Sequence, residues 1–210
     1  MMEPAFEKVI TSEQELRDIM GYPSEIVTRK TINYIDEHCQ VFIEKSPFIT
    51  IATSDLKGNL DVSPKGDPAG FVKILSDKML AIPDRPGNHK ADTLTNIIQN
   101  PNIGLIFLIP GIKETLRVNG EAKIVTDEKV LELLSCQGKK PGFAIIVIVK
   151  EAFMHCAKCI IRSNLWTTVD ERQERSIATL GKALVDHGKL DISSEELDEM
   201  IKDDEKTNLY

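Results

Sequence analysis

The sequence has few cysteines, no surplus of positive charge and no long hydrophobic run. Four cysteines in 210 residues, unevenly placed at 39, 136, 156 and 159, do not make a secreted disulfide framework. A formal net charge of -7 argues against a non-specific nucleic-acid binder, whose basic face would dominate the count. No stretch approaches the roughly 18 to 20 apolar residues of a membrane span, and "MMEPAFEKVI" lacks the basic-then-apolar order of a signal peptide. The expectation is a soluble, cytoplasmic protein. No internal repeat, low-complexity segment or G-x-G-x-x-G stretch is present, so nothing points to a separate nucleotide domain. With 41% hydrophobic residues, the chain can bury a full core without a metal or disulfides.

Among the cysteines only "HCAKC", residues 155–159, has a suggestive spacing. With His155 adjacent, this pair could hold zinc or shuttle electrons, but zinc needs about four ligands, and apart from His38-Cys39 no second group is near at hand in the sequence. The expectation is a pair of buried thiols on a packed segment, with no metal site.

Along the chain, Ser12 stands three residues before Glu15, a capping box opening a short helix that Gly21 stops. Residues 23–46 space Ile26, Ile32, Ile35, Cys39, Phe42 and Ile43 as an amphipathic helix or helix pair. From Pro47 the texture becomes β-branched: "PFITIATSD" and "LDVSPKGD" form one hairpin, and "GFVKILSDKMLAIPD" a second, in meander order. A helix follows in "NHKADTLTNIIQN", then strands in "NIGLIFLIPG" and "ETLRVNGEAKIV". A capped helix lies in "TDEKVLELLS", and the near-continuous apolar strand "FAIIVIVKEAFMHC" is to be buried on both faces or at a subunit contact. Seven or so antiparallel strands with few helices between them indicate a small barrel. The tail from Val169 is charged, amphipathic and helical in pattern, with Ser193 and Ser194 capping its last helix. The organisation expected is a helical N-terminal cover (1–46), a barrel (47–168) and a C-terminal helical extension (169–210), together one structural domain.

The segment "LAIPDRPGNHKADTL", residues 80–94, gathers Arg85, Gly87, Asn88, His89 and Lys90 around a Pro-Gly turn where a strand pattern meets a helix pattern. Either it is a solvated surface turn, or it is an anion site, with the helix's unpaired amides supplementing Lys90 and Gly87 admitting close approach. Ser63 and Lys65 alternate to one face of a strand expected to neighbour this segment, and would add a hydroxyl and an ammonium. Thr115 and Arg117 share a face of a later strand, where they line a cleft or, for Arg117, pair with Glu114 or Glu121. No residue stands out as a general acid or base, so no catalytic residue is assigned.

The run "PFITIATSD…DVSPKGDPAGF…LAIPDRPGNHKADTL…NPNIGLIFLIPG…ETLRVNGEAKI…HCAKCIIRSNLW" resembles the FMN-binding split-barrel superfamily, in its pyridoxamine 5'-phosphate oxidase-related flavoenzyme branch, over about residues 25–168. The resemblance implies a mainly β fold with flanking helices, a six-stranded antiparallel split β-barrel. It also implies a homodimer with FMN at the subunit interface, contacted by both chains. By position, Ser63, Lys65 and the Gly87–Lys90 turn would hold the FMN phosphate, with Arg85 near the ribityl chain or phosphate. Thr115 and Arg117 would face the isoalloxazine. Arg162, Ser163 and Trp166 resemble the late segment that reaches the neighbouring chain's flavin, although Trp166 also suits core packing.

Two departures stand out. The family's Ser-Arg-Lys run is here Asn88-His89-Lys90, and its late Arg-x-His substrate signature has no counterpart in "IRSNLWTTVDERQ". The vitamin substrate therefore does not follow, whereas cofactor binding does. His89 in place of Arg would weaken that binding and make it depend on pH near neutrality. The expected function is FMN-dependent oxidation or reduction of a small molecule. The alternative is an FMN-binding sensor, carrier or stress-related protein without turnover.

Overall fold

Ser12 opens the first helix as the sequence predicts. Its hydroxyl accepts from the Glu15 amide while the Glu15 carboxylate accepts from the Ser12 amide, the reciprocal capping box that starts α1 (Glu13–Met20). The computed structural model describes residues 6–167 and 178–207. Neither α1 nor α2 (Glu25–Arg29) buries a residue. The chain joins the body at Ile32, which exchanges backbone hydrogen bonds with Ala152. Asp36 then caps α3 (Glu37–Lys45), its carboxylate accepting from the Cys39 amide, and the helix buries Cys39, Phe42 and Ile43 against the sheet.

The body is one sheet of seven strands: β1 (Phe48–Ser54), β2 (Leu60–Gly66), β3 (Lys73–Ser76), β4 (Met79–Pro83), β5 (Asn102–Leu108), β6 (Thr115–Val125) and β7 (Ala144–His155). Their spatial order is β2-β1-β5-β6-β7-β4-β3, every pairing antiparallel. Both predicted hairpins form. They do not continue into one another, however: β2 and β3 occupy opposite ends of the sheet, not adjacent places in a meander. The sheet has seven strands where the resemblance implies six, and its ends are not hydrogen-bonded to each other. The mainly antiparallel, helix-flanked architecture is that of a split barrel.

One face of the sheet makes the core. Ile49 and Ile51 of β1, Leu105 and Phe107 of β5, Leu116 and Val118 of β6, and Ile145 and Val147 of β7 are all buried, as strand alternation requires. α3 and α4 (Asp92–Gln99) pack on it, α4 through Thr93, Asn96 and Ile97. α5 (Glu128–Leu133) covers Ala144 and part of Ile146 through Leu131, so the start of β7 is covered on both sides, as its apolar run implies. Gly120 marks a register shift between β6 and β7. A Cβ there would sit 2.1 Å from the Ile148 carbonyl oxygen, so the two backbones meet where no side chain fits.

Beyond β7, α6 (Lys158–Ser163) precedes the undescribed residues 168–177. α7 (Leu180–Gly188) and α8 (Ser194–Thr207) then form a hairpin, tied by the Gly181 amide donating to Asp198. Ser193 accepts from the Glu196 amide at the start of α8, which is the predicted cap. Among the described residues no helix is long and apolar enough to cross a membrane.

Candidate functional site

β2 is an edge strand with an unusual composition, "LDVSPKG". Its partners in β1 are Thr53 for Asp61, Ile51 for Ser63 and Ile49 for Lys65. All three partners are buried, so this polar row points to the core side of the sheet. Because no strand lies beyond β2, the row looks into the opening between the sheet's two ends. There it meets the chain leaving β4 at the opposite end. Arg85 Nε donates to Asp67 Oδ2 at 2.7 Å, and its Nη2 donates to the Leu134 carbonyl at 2.9 Å. Thr93 Oγ1 donates to Asp61 Oδ2 at 2.6 Å, and Lys65 Nζ lies 3.8 Å from Asp84 Oδ1.

A cavity of about 780 Å³ fills this opening. Three stretches line it: Asp61–Lys65, Asp84–Leu94 and Lys139–Phe143. Seven of the twelve predicted cofactor-site residues meet here, namely Ser63, Lys65, Arg85, Gly87, Asn88, His89 and Lys90. The loop between β4 and α4 is not the start of the helix, as its sequence suggests. The Asn88 side chain accepts from the Lys90 amide, a local turn that competes with helix. His89 and Ala91 have φ of 59° and 60°, and α4 begins only at Asp92 with no side-chain cap. Left-handed backbone at two non-glycine residues costs roughly 1–2 kcal/mol each, and both residues are exposed. Gly87, by contrast, has open space where a Cβ would be, so nothing in the protein itself requires glycine there.

The cavity's charge differs from that of the chain. Lys65, Arg85, Lys90, Lys139 and Lys140 line it, with His89, against Asp61, Asp84 and Asp92. Burial pushes the Asp84 carboxyl above its usual range, and the neighbouring Lys65 opposes that rise. Lys90 lies 2.5 Å from Asp92, which holds its ammonium above the ordinary lysine value. Arg85 is committed to the protein's own groups, with its side chain 16% exposed and that of Asp67 2% exposed, so it joins the two ends of the sheet as well as lining the cavity.

Sequence reasoning missed Lys139, Lys140 and Phe143. The signal was "KKPGF", a second Pro-Gly turn carrying basic residues, as "RPGNHK" does. Its place beside β2 depends on strand order, which local pattern does not report. Lys140 also pairs with Glu128 and, at 3.4 Å, with Glu132.

The other five predicted residues lie elsewhere in the chain. Thr115 is buried and stands opposite His155 at the far end of β7. The Arg117 guanidinium lies 5.2 Å over the Phe153 ring. Arg162 is exposed on α6, Ser163 donates to the Ile160 carbonyl, and Trp166 Nε1 donates to the Ile112 carbonyl at 2.7 Å. Within one chain none of the five reaches the cavity. The cysteine expectation is also corrected: Cys39 is buried, but Cys156 and Cys159 are exposed, because the chain turns outward at the end of β7 and α6 buries only Ile160.

A family model described as pyridoxamine 5'-phosphate oxidase matches residues 35–154. No curated protein matches the chain. Among solved structures, HupZ of Group A Streptococcus is 22% identical, with a TM-score of 0.49 over 57% of this chain and 93% of that one. An FMN-binding protein from Syntrophomonas wolfei is 12% identical, with a TM-score of 0.42 over 68% and 96%. HutZ, the heme storage protein from Vibrio cholerae, is 14% identical, with a TM-score of 0.39 over 57% and 93%.

Two outcomes follow from the site's electrostatics. Arg85→Met removes a charged partner of the buried Asp67 carboxylate and lowers stability by about 3 kcal/mol. An unfolding free energy from urea titration within about 0.5 kcal/mol of the parent would show that the pair does not join the sheet's ends. For Asp84 the native pKa lies above the unfolded one, so between the two the folded state holds more protons and stability falls as pH rises. Asp84→Asn removes that slope and is the more stable protein at neutral pH, as unfolding midpoints across pH will read.

Proposed function

This chain belongs to the pyridoxamine 5'-phosphate oxidase family, and from that premise we propose that it is an FMN-binding flavoprotein, an FMN-dependent oxidoreductase acting on a small molecule. The observation that carries the reading is a cation-lined cavity in a chain of net charge -7. Its volume falls within the roughly 300–1,000 Å³ of cofactor and ligand sites. The donor set fits a phosphate monoester: the Ser63 hydroxyl, the Lys65 ammonium, the backbone amides of residues 87–89, His89 and the Lys90 ammonium. The uncapped first amides of α4 add donors of the same sign. Leu94 and Phe143 give the cavity an apolar wall suited to a ring system. Bound there, FMN would supply two-electron chemistry, while these residues bind it, orient it and limit its contact with water.

The cofactor site extends, in this reading, across a homodimer. The outer face of the sheet carries Leu60 and Val62, 81% and 65% exposed, with Phe48 and Ile106. By register Arg117 lies on this same face, opposite Ile106. A second copy covers this apolar surface and brings Thr115, Arg117, Arg162, Ser163 and Trp166 toward its partner's cofactor.

Titration with FMN and with riboflavin, followed by absorption and fluorescence, tests the phosphate site. FMN binds the tighter of the two. Lys65→Ala weakens FMN roughly ten- to a hundredfold and leaves riboflavin unchanged. A protein that ignores both flavins overturns the reading. One that binds FMN yet is never reoxidised by any acceptor is the non-catalytic carrier. Light scattering tests the dimer: the parent runs as two chains and Val62→Lys as one, whereas a monomeric parent rejects the shared site.

A further inference from the structure

The chain turns outward after His155 and exposes both thiols of Cys156-Ala157-Lys158-Cys159. The two residues between them are helical: Ala157 has φ -70° and ψ -7°, and Lys158 is the first residue of α6. Two consecutive right-handed helical residues bring the flanking Cα atoms within about 7 Å, and a disulfide spans about 4.4–6.8 Å between Cα atoms. Cys156 itself lies outside the helix, so helical geometry does not fix the direction of its side chain.

The remaining cysteines do not compete for this pairing. Cys39 is in the core, and burial pushes its thiol up to about 12, so it carries no thiolate near neutrality. Cys136 is held in a tight turn with Lys139 before β7 begins, whereas Cys156 follows its end. The twelve residues of β7 place roughly 40 Å of strand between them. Among the described residues no group of three or more His, Cys, Asp or Glu side chains is arranged to hold a metal ion.

We propose that Cys156 and Cys159 form a redox-active dithiol that exchanges with low-molecular-weight disulfides and closes to an intramolecular disulfide. In the first step the thiolate of one cysteine attacks a sulfur of the external disulfide. That S–S bond breaks, a mixed disulfide forms, and one thiolate leaves. The second cysteine, as thiolate, then attacks the protein-bound sulfur and expels the other external thiolate. The protein thiols lose two electrons and two protons. The external disulfide gains both as two free thiols. Closure joins the end of β7 to the first turn of α6, the element whose single anchor in the core is Ile160.

The test uses the full-length protein without added flavin, so its outcome is independent of the cofactor reading. Reduced protein is equilibrated in buffers of reduced and oxidised glutathione, quenched with an alkylating agent, and read by intact mass and peptide mapping. The expected result is a reversible loss of two hydrogens, mapped to a Cys156–Cys159 link, with two glutathione molecules released per chain. Cys156→Ser and Cys159→Ser abolish the link, and at least one of them accumulates a single glutathione adduct instead. A chain that stays fully reduced in excess oxidised glutathione overturns the proposal, as does one carrying only glutathione adducts or disulfides between chains.

Discussion

The ion pair between Arg85 and Asp67 is the contact on which the site depends. Each residue lies just beyond a strand near a different end of the sheet, Asp67 after β2 and Arg85 after β4. No strand pairing joins those ends; the short 67–72 connection between β2 and β3 and side-chain contacts such as this pair link them. A charge pair with one partner almost fully buried and the other also bonded to the Leu134 carbonyl is costly to desolvate and strongly destabilising to break. The pair lies beside the cavity, which Arg85 also lines. The Thr93–Asp61 bond and the Lys65–Asp84 pair span the same opening.

The cavity is also where an acidic protein concentrates its positive charge. Three carboxylates sit among the cations, which keeps Lys65 and Lys90 partnered in the absence of an anion. On the proposed function, a phosphate entering the cavity would compete with Asp84, whose carboxylate burial disfavours, for Lys65. The left-handed residues of the 88–91 loop keep the segment outside the helix, leaving the first amides of α4 uncapped by any side chain. A continuous helix through these residues would instead have used the amides of its second turn internally.

The two ends of β7 differ in kind. At its start, Phe143 lines the cavity and α5 covers the strand. Its end pairs with Thr115 and Arg117 of β6 and leads into the exposed thiols and α6, which buries only Ile160. Cofactor binding, in the dimeric reading, uses both ends from different subunits. The thiol chemistry needs only the outer end of one chain, so the two can be separated by experiment.

Periodicity and capping chemistry, which act within a few residues, determined most of the elements of this protein. The Ser12 box, the Ser193 cap, both hairpins and the alternating faces of β6 were legible from the sequence for that reason. So was the basic character of residues 85–90, because side-chain type needs no context. Only the tertiary structure decided that β2 and β3 end up at opposite ends of the sheet, that β2 nonetheless faces the 84–94 loop, and that Lys139 and Lys140 join them. It also decided that Cys156 and Cys159 face outward and that Thr115, Arg117, Arg162, Ser163 and Trp166 are remote from the cavity within one chain. Strand order and burial are set by contacts between residues far apart in sequence, and local patterns contain no term for them.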